Sequence, residues 1–506
     1  MSACVSSLIS SAIGHPGRLA AMAAMSPQGL LEALGAVTDP RKRRGVRHRF
    51  ISIDFVFGAA TAAYQVEGAA SEGGRGPSIW DDFAATPGAI ADQMTGEFAD
   101  DHYHRYLEDV QIMADLGVTA YRFSISWSRI QPDGVGPANL EGIAFYRRLA
   151  KALIEHGITP YATLYHWDLP SALEEKGGWL NRQTADLFAQ YARVVAAGLG
   201  DLVTNWITLN EPWCSAFLGY ASGIHAPGKQ VGTRASHAAH HLLLGHGRAV
   251  SAIRAVRADA TIGITLNLYS VKAASGSDQD KDAARRVDGL QNRFFLDPVL
   301  RGGYPADVLY DLGEQEWFAA NPASDAAEIA VGIDFLGINY YSRHTAEAGQ
   351  AVAGQASANP GSEFVRMVDT GAPRTQMGWE VHPDGLLDVL AMANERRPEL
   401  PLYVTENGAA YEDEVREDGQ ILDEERRDYI EKHLRVCADA VRQGLPLKGY
   451  FAWSLMDNYE WAWGYTRRFG IVYVDYETQA RTVKLSGKWL AGVLGGAAAA
   501  DRPVSV

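Results

Sequence analysis

A regular alternation of two kinds of segment, running from residue 55 to the end of the chain, limits the possible folds more than any other feature. Eight short runs rich in β-branched and aromatic residues predict strands, and the longer amphipathic stretch after each run predicts a helix. The predicted strands are Phe55–Ala60, Ala120–Ser126, Thr159–Tyr165, Asn205–Leu209, Thr261–Leu268, Ile333–Tyr340, Leu402–Thr405 and Lys448–Ser454. The predicted helices are Asp101–Leu116, Leu140–His156, Gln183–Gly198, Ala235–Val256, Asp280–Phe295, Pro383–Ala393, Glu424–Gln443 and Leu485–Leu494. Eight such units predict an α/β fold, a single (β/α)8 TIM barrel with its active site at the C-terminal ends of the strands.

The connections that follow the predicted strands are much longer than those that follow the helices. The longest are Tyr64–Asp100, Glu211–Arg234, Ser342–His382 and Leu455–Lys484. Long loops gathered on one face of a barrel are expected to wall a deep pocket. The pattern assigns residues 50–496 to one barrel domain and residues 497–506 to a C-terminal tail.

The first 49 residues differ from the rest in charge, because they carry seven basic residues against two acidic ones. The basic cluster follows the weakly apolar part of this segment, whereas a signal peptide has its positive charge first. We therefore interpret residues 1–49 as a disordered N-terminal extension or the product of an upstream start codon, rather than a targeting signal or a nucleic-acid-binding tail.

The overall charge and the cysteine content limit the partners and the compartment. A net charge of −15 and a pI near 5.4 argue against nucleic acid or an anionic membrane as a partner, and favour a small neutral ligand. No run of 18 apolar residues predicts a membrane span. The three cysteines, Cys4, Cys214 and Cys437, offer no disulfide framework, so we expect a cytoplasmic protein. Whether it is a monomer or a homo-oligomer stays open.

Two predicted strands, the fourth and the seventh, each end in a single carboxylate. Glu211 lies in the segment Thr-Leu-Asn-Glu-Pro and Glu406 in the segment Val-Thr-Glu-Asn-Gly. Cleavage of a glycosidic bond through a covalent intermediate uses two carboxyl groups roughly 5 Å apart, one to protonate the departing oxygen and one to attack the anomeric carbon. The two strand ends can supply that pair.

Several longer motifs carry a resemblance to a known family. They are the segments Phe-Val-Phe-Gly-Ala-Ala-Thr-Ala-Ala-Tyr-Gln-Val-Glu-Gly (55–68), Tyr-Arg-Phe-Ser-Ile-Ser-Trp-Ser-Arg (121–129), Trp-Ile-Thr-Leu-Asn-Glu-Pro (206–212), Tyr-Val-Thr-Glu-Asn-Gly (403–408) and Trp-Ser-Leu-Met-Asp-Asn-Tyr-Glu-Trp (453–461). From about residue 50 to residue 494 the chain resembles the family 1 glycoside hydrolases, the β-glucosidase family. The resemblance implies a retaining mechanism with Glu211 as acid/base and Glu406 as nucleophile.

The resemblance also implies roles for other residues. Arg122 is expected to support the nucleophile by holding the pKa of Glu406 down. The residues expected to bind substrate are Gln65, His166, Trp167, Asn210, Tyr341, Trp453, Glu460, Trp461 and Phe469, with Asn210 donating to the sugar 2-hydroxyl and Trp453 forming a stacking floor. The entrance for the leaving group is expected at Trp213, Leu218 and Trp379, and Asn339 is given an indirect role at most. A carboxylate at Glu460 argues against 6-phospho-sugars, because it would repel the phosphate.

The sequence leaves some alternatives to weigh. Four histidines crowd one predicted helix, but His237 and His241 share a face without a carboxylate to complete a metal site, so no metal is predicted. The sequence has no dinucleotide-binding or Walker motif, so no organic cofactor is predicted. The leading prediction is an exo-β-glucosidase that acts on cellobiose, cello-oligosaccharides and aryl or alkyl glucosides, with β-fucosides and β-galactosides as further substrates. The alternatives are a transglycosylase that uses the same intermediate and a non-catalytic carbohydrate-binding relative.

Overall fold

The computed structural model describes residues 55–350 and 356–495. The predictions for the N-terminal extension and the C-terminal tail lie outside the described residues. Eight parallel strands close into a barrel in which neighbours in the chain are neighbours in space. These strands, numbered β1 to β8, are Val56–Ala60, Ala120–Ser124, Thr159–Tyr165, Asn205–Asn210, Thr261–Asn267, Phe335–Asn339, Leu402–Asn407 and Leu447–Trp453.

The ring closes where the first strand pairs with both the second and the last. In β1, Ala60 is in register with Arg122 of β2 and with Trp453 of β8. The predicted α/β barrel is confirmed. The second predicted strand was two residues too long, because the chain turns at Ser126 into a short helix, Trp127–Ile130.

Eight helical regions cover the barrel, and the first seven lie between consecutive strands. Numbered α1 to α8, they are His102–Leu116, Leu140–Glu155, Gln183–Leu199, Ala235–Val256, Asp278–Asp288, Asp384–Arg396, Glu424–Arg442 and Leu485–Leu494. The fifth region continues through a π-turn, Gly289–Arg293, into a further helix, Phe294–Arg301. Shorter helices are Ala63–Val66, Ile79–Ala84, Ser171–Glu174, Ala306–Leu312, Gln315–Ala320 and Ala323–Ile329.

The long connections after the strands collect on the C-terminal face of the barrel, as predicted. The loop after β4 contains a π-helix, Cys214–Ser222. The loops after β5 and β6 form a small sheet from Ser270–Ala273, Arg343–Ala348 and Val365–Met367, and the loop after β8 forms a hairpin from Val472–Val474 and Arg481–Val483. Within the described residues, no helix is long and apolar enough to cross a membrane.

The barrel interior is filled at its lower end by aromatic rings that pack against glycines. The rings of Tyr161 and Phe451 are 5.2 Å apart between centroids. A Cβ added at Gly58 would lie 2.3 Å from the Phe451 ring, and one added at Gly263 would lie 2.6 Å from the Phe335 ring. The small residues on these strands therefore leave the space that the aromatic rings occupy. Above this layer the interior becomes polar.

Candidate active site

Two buried carboxyl groups lie at the upper end of the barrel. Glu406 is on β7 and Glu211 directly follows β4, and their residues are 3% and 5% exposed. Both side chains line a cavity of about 400 Å³ at the C-terminal face. The structure therefore brings together the two carboxylates that the sequence places 195 positions apart.

Glu406 is held by one cation and one hydroxyl group. Arg122 Nη1 lies 2.5 Å from Glu406 Oε1, and the hydroxyl of Tyr341 donates to Oε2 at 2.6 Å. Burial raises the pKa of Glu406, while the charge of Arg122 and the hydrogen bond from Tyr341 oppose this rise. The predicted contact with Arg122 is present, but it moderates the effect of burial and does not bring the pKa below its usual value.

Glu211 has no cation in contact with its carboxyl group among the described residues. Asn339 Nδ2 donates to Oε1 at 2.6 Å, and the thiol of Cys214 donates to Oε2 at 3.1 Å. Burial, followed by the negative charge of Glu406, raises the pKa of Glu211 to about 8. At neutral pH, Glu211 is therefore mostly protonated. Acid-assisted nucleophilic displacement needs one protonated and one ionised carboxyl group. The pair meets this need, because Glu406, beside Arg122, is the easier of the two to ionise.

Two of these contacts went beyond the sequence prediction. Asn339, which was given an indirect role, donates directly to Glu211, and Cys214 had no predicted role. The sequence feature that could have indicated this role for Asn339 is its position at the end of a predicted strand. In the structure, Asn339 ends β6 in register with Glu406 of β7. Cys214 begins the π-helix after β4, and nothing in the sequence pattern indicated that this turn would bring its thiol back toward Glu211.

Asn210 joins both carboxylate regions to the cavity wall. Its Oδ1 accepts from Arg122 Nη2 at 2.6 Å and from Asn339 Nδ2 at 3.1 Å, and its Nδ2 donates to His166 Nε2 at 2.9 Å. Burial lowers the pKa of His166 well below its usual value, so the imidazole is neutral and carries its proton on Nδ1. That nitrogen is buried without a partner among the described residues.

Three tryptophans surround the inner cavity. Trp453 stacks on His166 at 5.8 Å between centroids, and the Trp167 ring packs against Trp461 at 4.5 Å. The indole N–H of Trp167 donates to the backbone carbonyl of Asn210 at 3.0 Å. Trp167 therefore offers the cavity its ring and not its hydrogen-bond donor.

Glu460 lines the cavity, and Gln65 lies directly behind it. Gln65 Nε2 donates to Asn458 Oδ1 at 2.9 Å and lies 3.5 Å from Glu460 Oε2, while its Oε1 is buried without a partner in the described chain. Burial, followed by the charges of Glu406 and Glu211, raises the pKa of Glu460 to about 8. Three carboxyl groups thus meet around one cavity.

Most of the predicted site residues line this cavity, and three lie directly behind its wall. The lining ones are His166, Trp167, Glu211, Trp213, Leu218, Tyr341, Trp379, Glu406, Trp453, Glu460, Trp461 and Phe469, and those behind are Gln65, Arg122 and Asn210. Lining residues that the sequence prediction did not assign include Cys214, Ile224, Tyr269, Gln291, His344, Asn359, Met377 and Trp463. Most of these unassigned residues lie in loops. A loop has no periodic sequence pattern from which the position of a side chain could be predicted.

The histidines of α4 are all engaged in contacts that do not suit a metal. His237 bonds Glu314, His240 bonds Asp325, His241 bonds the Trp179 carbonyl and His246 bonds Thr208. Within residues 55–350 and 356–495, no cluster of three or more potential ligands forms. These contacts join α4 to its neighbouring elements.

Comparison with known proteins decides the family. A model of the family described as glycosyl hydrolase family 1 matches residues 47–496. The chain belongs to glycosyl hydrolase family 1. Its relatives include β-glucosidase A of Thermotoga maritima, 46% identical over 441 residues, which are 87% of this chain and 96% of that protein. Another is a bifunctional β-D-glucosidase/β-D-fucosidase of Bifidobacterium breve, 47% identical over 451 residues, 86% of this chain and 96% of that protein.

Solved structures also match most of the chain. A psychrophilic β-glucosidase from Micrococcus antarcticus superposes with a TM-score of 0.84 and 48% identity, covering 88% of this chain and 97% of that one. The Thermotoga maritima enzyme in complex with isofagomine lactam superposes with a TM-score of 0.83 and 46% identity, covering 88% of this chain and 98% of that one. The family membership makes the chain a glycosidase and accounts for its barrel.

Proposed function

We propose that the protein is a retaining exo-β-glucosidase that removes the terminal non-reducing β-D-glucosyl residue from its substrates. The observation that carries this proposal is the unequal pair of carboxyl groups: Glu211 is held protonated, and Glu406 lies against Arg122. The β-glucosidases of the same family at 44–48% identity support the choice of glucose.

The reaction takes two displacements. Glu406 attacks the anomeric carbon while Glu211 gives its proton to the glycosidic oxygen, so the leaving group departs as a neutral alcohol. Esterification of Glu406 removes its negative charge, and the pKa of Glu211 falls because that charge had helped to raise it. Glu211 then takes a proton from water, which attacks the same carbon and releases glucose with its original anomeric configuration.

The walls of the inner cavity suit an unphosphorylated sugar. Three polar groups can form hydrogen bonds with glucose hydroxyls: Gln65 Oε1, His166 Nδ1 and the carboxyl of Glu460, of which the first two have no partner among the described residues. Trp453 offers an apolar face. The negative charge of Glu406, and that of Glu460 when it is ionised, disfavour a phosphate in the same space. We assign Asn210 and Trp461 to the same sugar and Trp167 and Phe469 to its apolar surroundings.

The substrates we propose are cellobiose, short cello-oligosaccharides and aryl or alkyl β-glucosides, whose leaving groups pass the entrance at Trp213, Leu218 and Trp379. The bifunctional relative of Bifidobacterium breve supports β-fucosides as further substrates. A cavity walled by loops at the end of the barrel favours chain ends over the interior of a polymer.

Azide rescue of two variants tests the proposal. The Glu406→Ala variant should lose hydrolysis of p-nitrophenyl β-D-glucoside, and added azide should restore release of nitrophenol with α-glucosyl azide as product. The Glu211→Ala variant should keep a slow first step on this good leaving group and yield β-glucosyl azide, while its rate on cellobiose falls by about 10²–10⁴-fold. Opposite anomers from the two variants identify the two roles. Absence of wild-type activity on β-glucosides would overturn the proposal.

A further inference from the structure

A tyrosine behind the barrel bonds the loop that carries Tyr341. Tyr429 lies on α7, is 1% exposed and does not line the cavity. Its hydroxyl donates to the backbone carbonyl of Tyr341 at 2.9 Å. The pairing of β6 with β7 ends at Asn339, and Tyr341 is the second residue after that point. The bond from Tyr429 therefore holds backbone that lies beyond the paired part of the strand.

The same hydroxyl oxygen accepts a hydrogen bond from the residue after the nucleophile. Asn407 Nδ2 lies 3.3 Å from the Tyr429 oxygen and 2.6 Å from the carbonyl oxygen of Tyr340. Asn407 Oδ1 accepts from the hydroxyl of Tyr450 at 2.9 Å, which fixes the orientation of the amide. Asn407 directly follows Glu406 and is the last residue of β7. Tyr429 is thus bonded to the end of β7 as well as to the loop after β6.

These contacts form a closed ring that includes the nucleophile. Asn407 donates to Tyr429, whose hydroxyl donates to the backbone of Tyr341. The side-chain hydroxyl of Tyr341 donates to Glu406 Oε2 at 2.6 Å, and the peptide bond between Glu406 and Asn407 closes the ring. The position of the Tyr341 hydroxyl relative to the Glu406 carboxyl therefore depends on the bond that Tyr429 makes.

Tyr429 is itself held by its own helix. Its ring lies 4.0 Å, between centroids, from that of His433, one turn later on α7. His433 Nδ1 donates to the backbone carbonyl of Tyr429 at 2.8 Å. Burial raises the pKa of Tyr429 and lowers the pKa of His433 to about 3, so neither side chain changes its charge near neutral pH. The Tyr429 hydroxyl therefore stays a hydrogen-bond donor throughout that range.

We infer that Tyr429 is a positioning residue for the nucleophile, because it holds Tyr341 where the Tyr341 hydroxyl reaches Glu406. The inference rests on the proposed β-glucosidase function, in which Glu406 attacks the anomeric carbon, and it adds a residue that lies outside the cavity. An O–H···O hydrogen bond needs a separation of roughly 2.5–3.0 Å, so a small movement of the Tyr341 backbone weakens the bond to the carboxylate.

Charged or titratable groups that follow or belong to four other strands surround Glu406. Arg122 of β2 and Tyr341 after β6 bond it directly, while Glu211 after β4 and Glu460 after β8 interact with it through charge. The hydrogen bond from Tyr341 opposes the rise that burial causes in the pKa of Glu406. Loss of this bond should raise that pKa further, because the ionised form loses a donor. Since Glu406 must be ionised in the first step, the acid limb of kcat/KM should then move to higher pH.

The variant Tyr429→Phe tests the inference, because it removes the hydroxyl and keeps the ring against His433. The measurement is kcat/KM for p-nitrophenyl β-D-glucoside between about pH 4 and pH 10, with a thermal melt of each protein. The plateau value of kcat/KM should fall about three- to tenfold, and the acid limb should lie at higher pH than in the wild type. The alkaline limb, assigned to Glu211, should stay in place. Tyr429→Met, whose flexible side chain fills part of the same space, takes the place of this variant if it does not fold.

A double-mutant cycle shows whether Tyr429 acts through Tyr341. The pH profile is also measured for Tyr341→Phe and for the double variant. Because the Tyr341 hydroxyl is absent from both, the further change Tyr429→Phe should not move the acid limb between them. Equal movement with and without the Tyr341 hydroxyl would overturn the inference, since Tyr429 would then act by another route.

Tyr191 offers a matched control. It is fully buried, and its hydroxyl donates to the backbone carbonyls of Ile125 and Leu164 at 3.0 and 2.9 Å. Neither of these two residues lines the cavity. Tyr191→Phe makes the same chemical change, so it should melt at a lower temperature than the wild type but keep the same acid limb.

The outcomes separate the inference from the function on which it rests. An acid limb that stays in place in Tyr429→Phe, or that moves as far in Tyr191→Phe, overturns the inference while wild-type hydrolysis upholds the proposed function. If the wild type does not hydrolyse the glucoside, the proposed function fails and the inference falls with it.

Discussion

Cys214 donates its thiol hydrogen to one oxygen of Glu211, the proposed acid. A donor to the ionised carboxylate stabilises that form, so its removal should raise the pKa of Glu211 above its present value of about 8. Since Glu211 must be protonated in the first step, the fall of kcat/KM at high pH should move to higher pH in Cys214→Ala.

The pH profile of kcat/KM for p-nitrophenyl β-D-glucoside between pH 5 and 10 checks this prediction. In Cys214→Ser the hydroxyl can donate to the same oxygen, so the alkaline limb should lie nearer to that of the wild type. The limb at low pH, which we assign to Glu406, should stay in place in both variants. A uniform fall in rate without movement of the alkaline limb would instead make Cys214 a packing residue.

At the scale of elements, a buried ionic network fixes the loop that carries Glu460 and Trp461. Lys484, at the start of α8, lies 2.6 Å from Asp457 and 2.5 Å from Asp413, and all three side chains are fully buried. Arg426 of α7 bonds Asp413, and Arg468 bonds Asp457. The loop after β8 is therefore joined by charge to the helices behind it.

Replacement of Lys484 by methionine should destabilise the protein by about 3–5 kcal/mol, because it removes the buried cation that the carboxylates of Asp413 and Asp457 share. A lower melting temperature and a raised KM for p-nitrophenyl β-D-glucoside are expected together, since the loop positions Glu460. Adding Asp457→Asn to Lys484→Met removes one of the two negative charges that Lys484 had balanced and should recover part of the lost stability. If Lys484→Met melts like the wild type, the network has no such role.

The elements also show what the sequence could and could not predict. Strand identity and order followed from a repeated pattern of apolar runs and amphipathic stretches, and the carboxylates could be placed because each ends such a run. The contact between Cys214 and Glu211 depends on a π-helix, and Gln291 lies in a π-turn. These are local departures from the regular helical period, so a pattern based on that period could not have placed these side chains. The pKa of Glu406 likewise depends on burial as well as on Arg122. The sequence predicted the charge pair but could not predict how far the carboxyl is buried.

At the scale of the whole molecule, closure of the barrel depends on its first strand. β1 pairs with both β2 and β8, and its last residue, Ala60, is in register with Arg122 and Trp453, which both belong to the site. The family match begins at residue 47, nine positions before the first residue of β1. The barrel should therefore need β1 for its closure and should not need the residues before the match.

Two truncated chains test this view of the molecule. A chain that begins at Arg47 should hydrolyse p-nitrophenyl β-D-glucoside with the kcat/KM of the full chain and should melt at the same temperature. A chain that begins at Thr61 lacks β1, so β2 and β8 become open edges that pair with other molecules. It should be inactive and should elute as aggregate in size-exclusion chromatography. Loss of activity in the longer truncated chain would show that residues 1–46 contribute to the catalytic domain, and an active shorter chain would show that closure through β1 is dispensable.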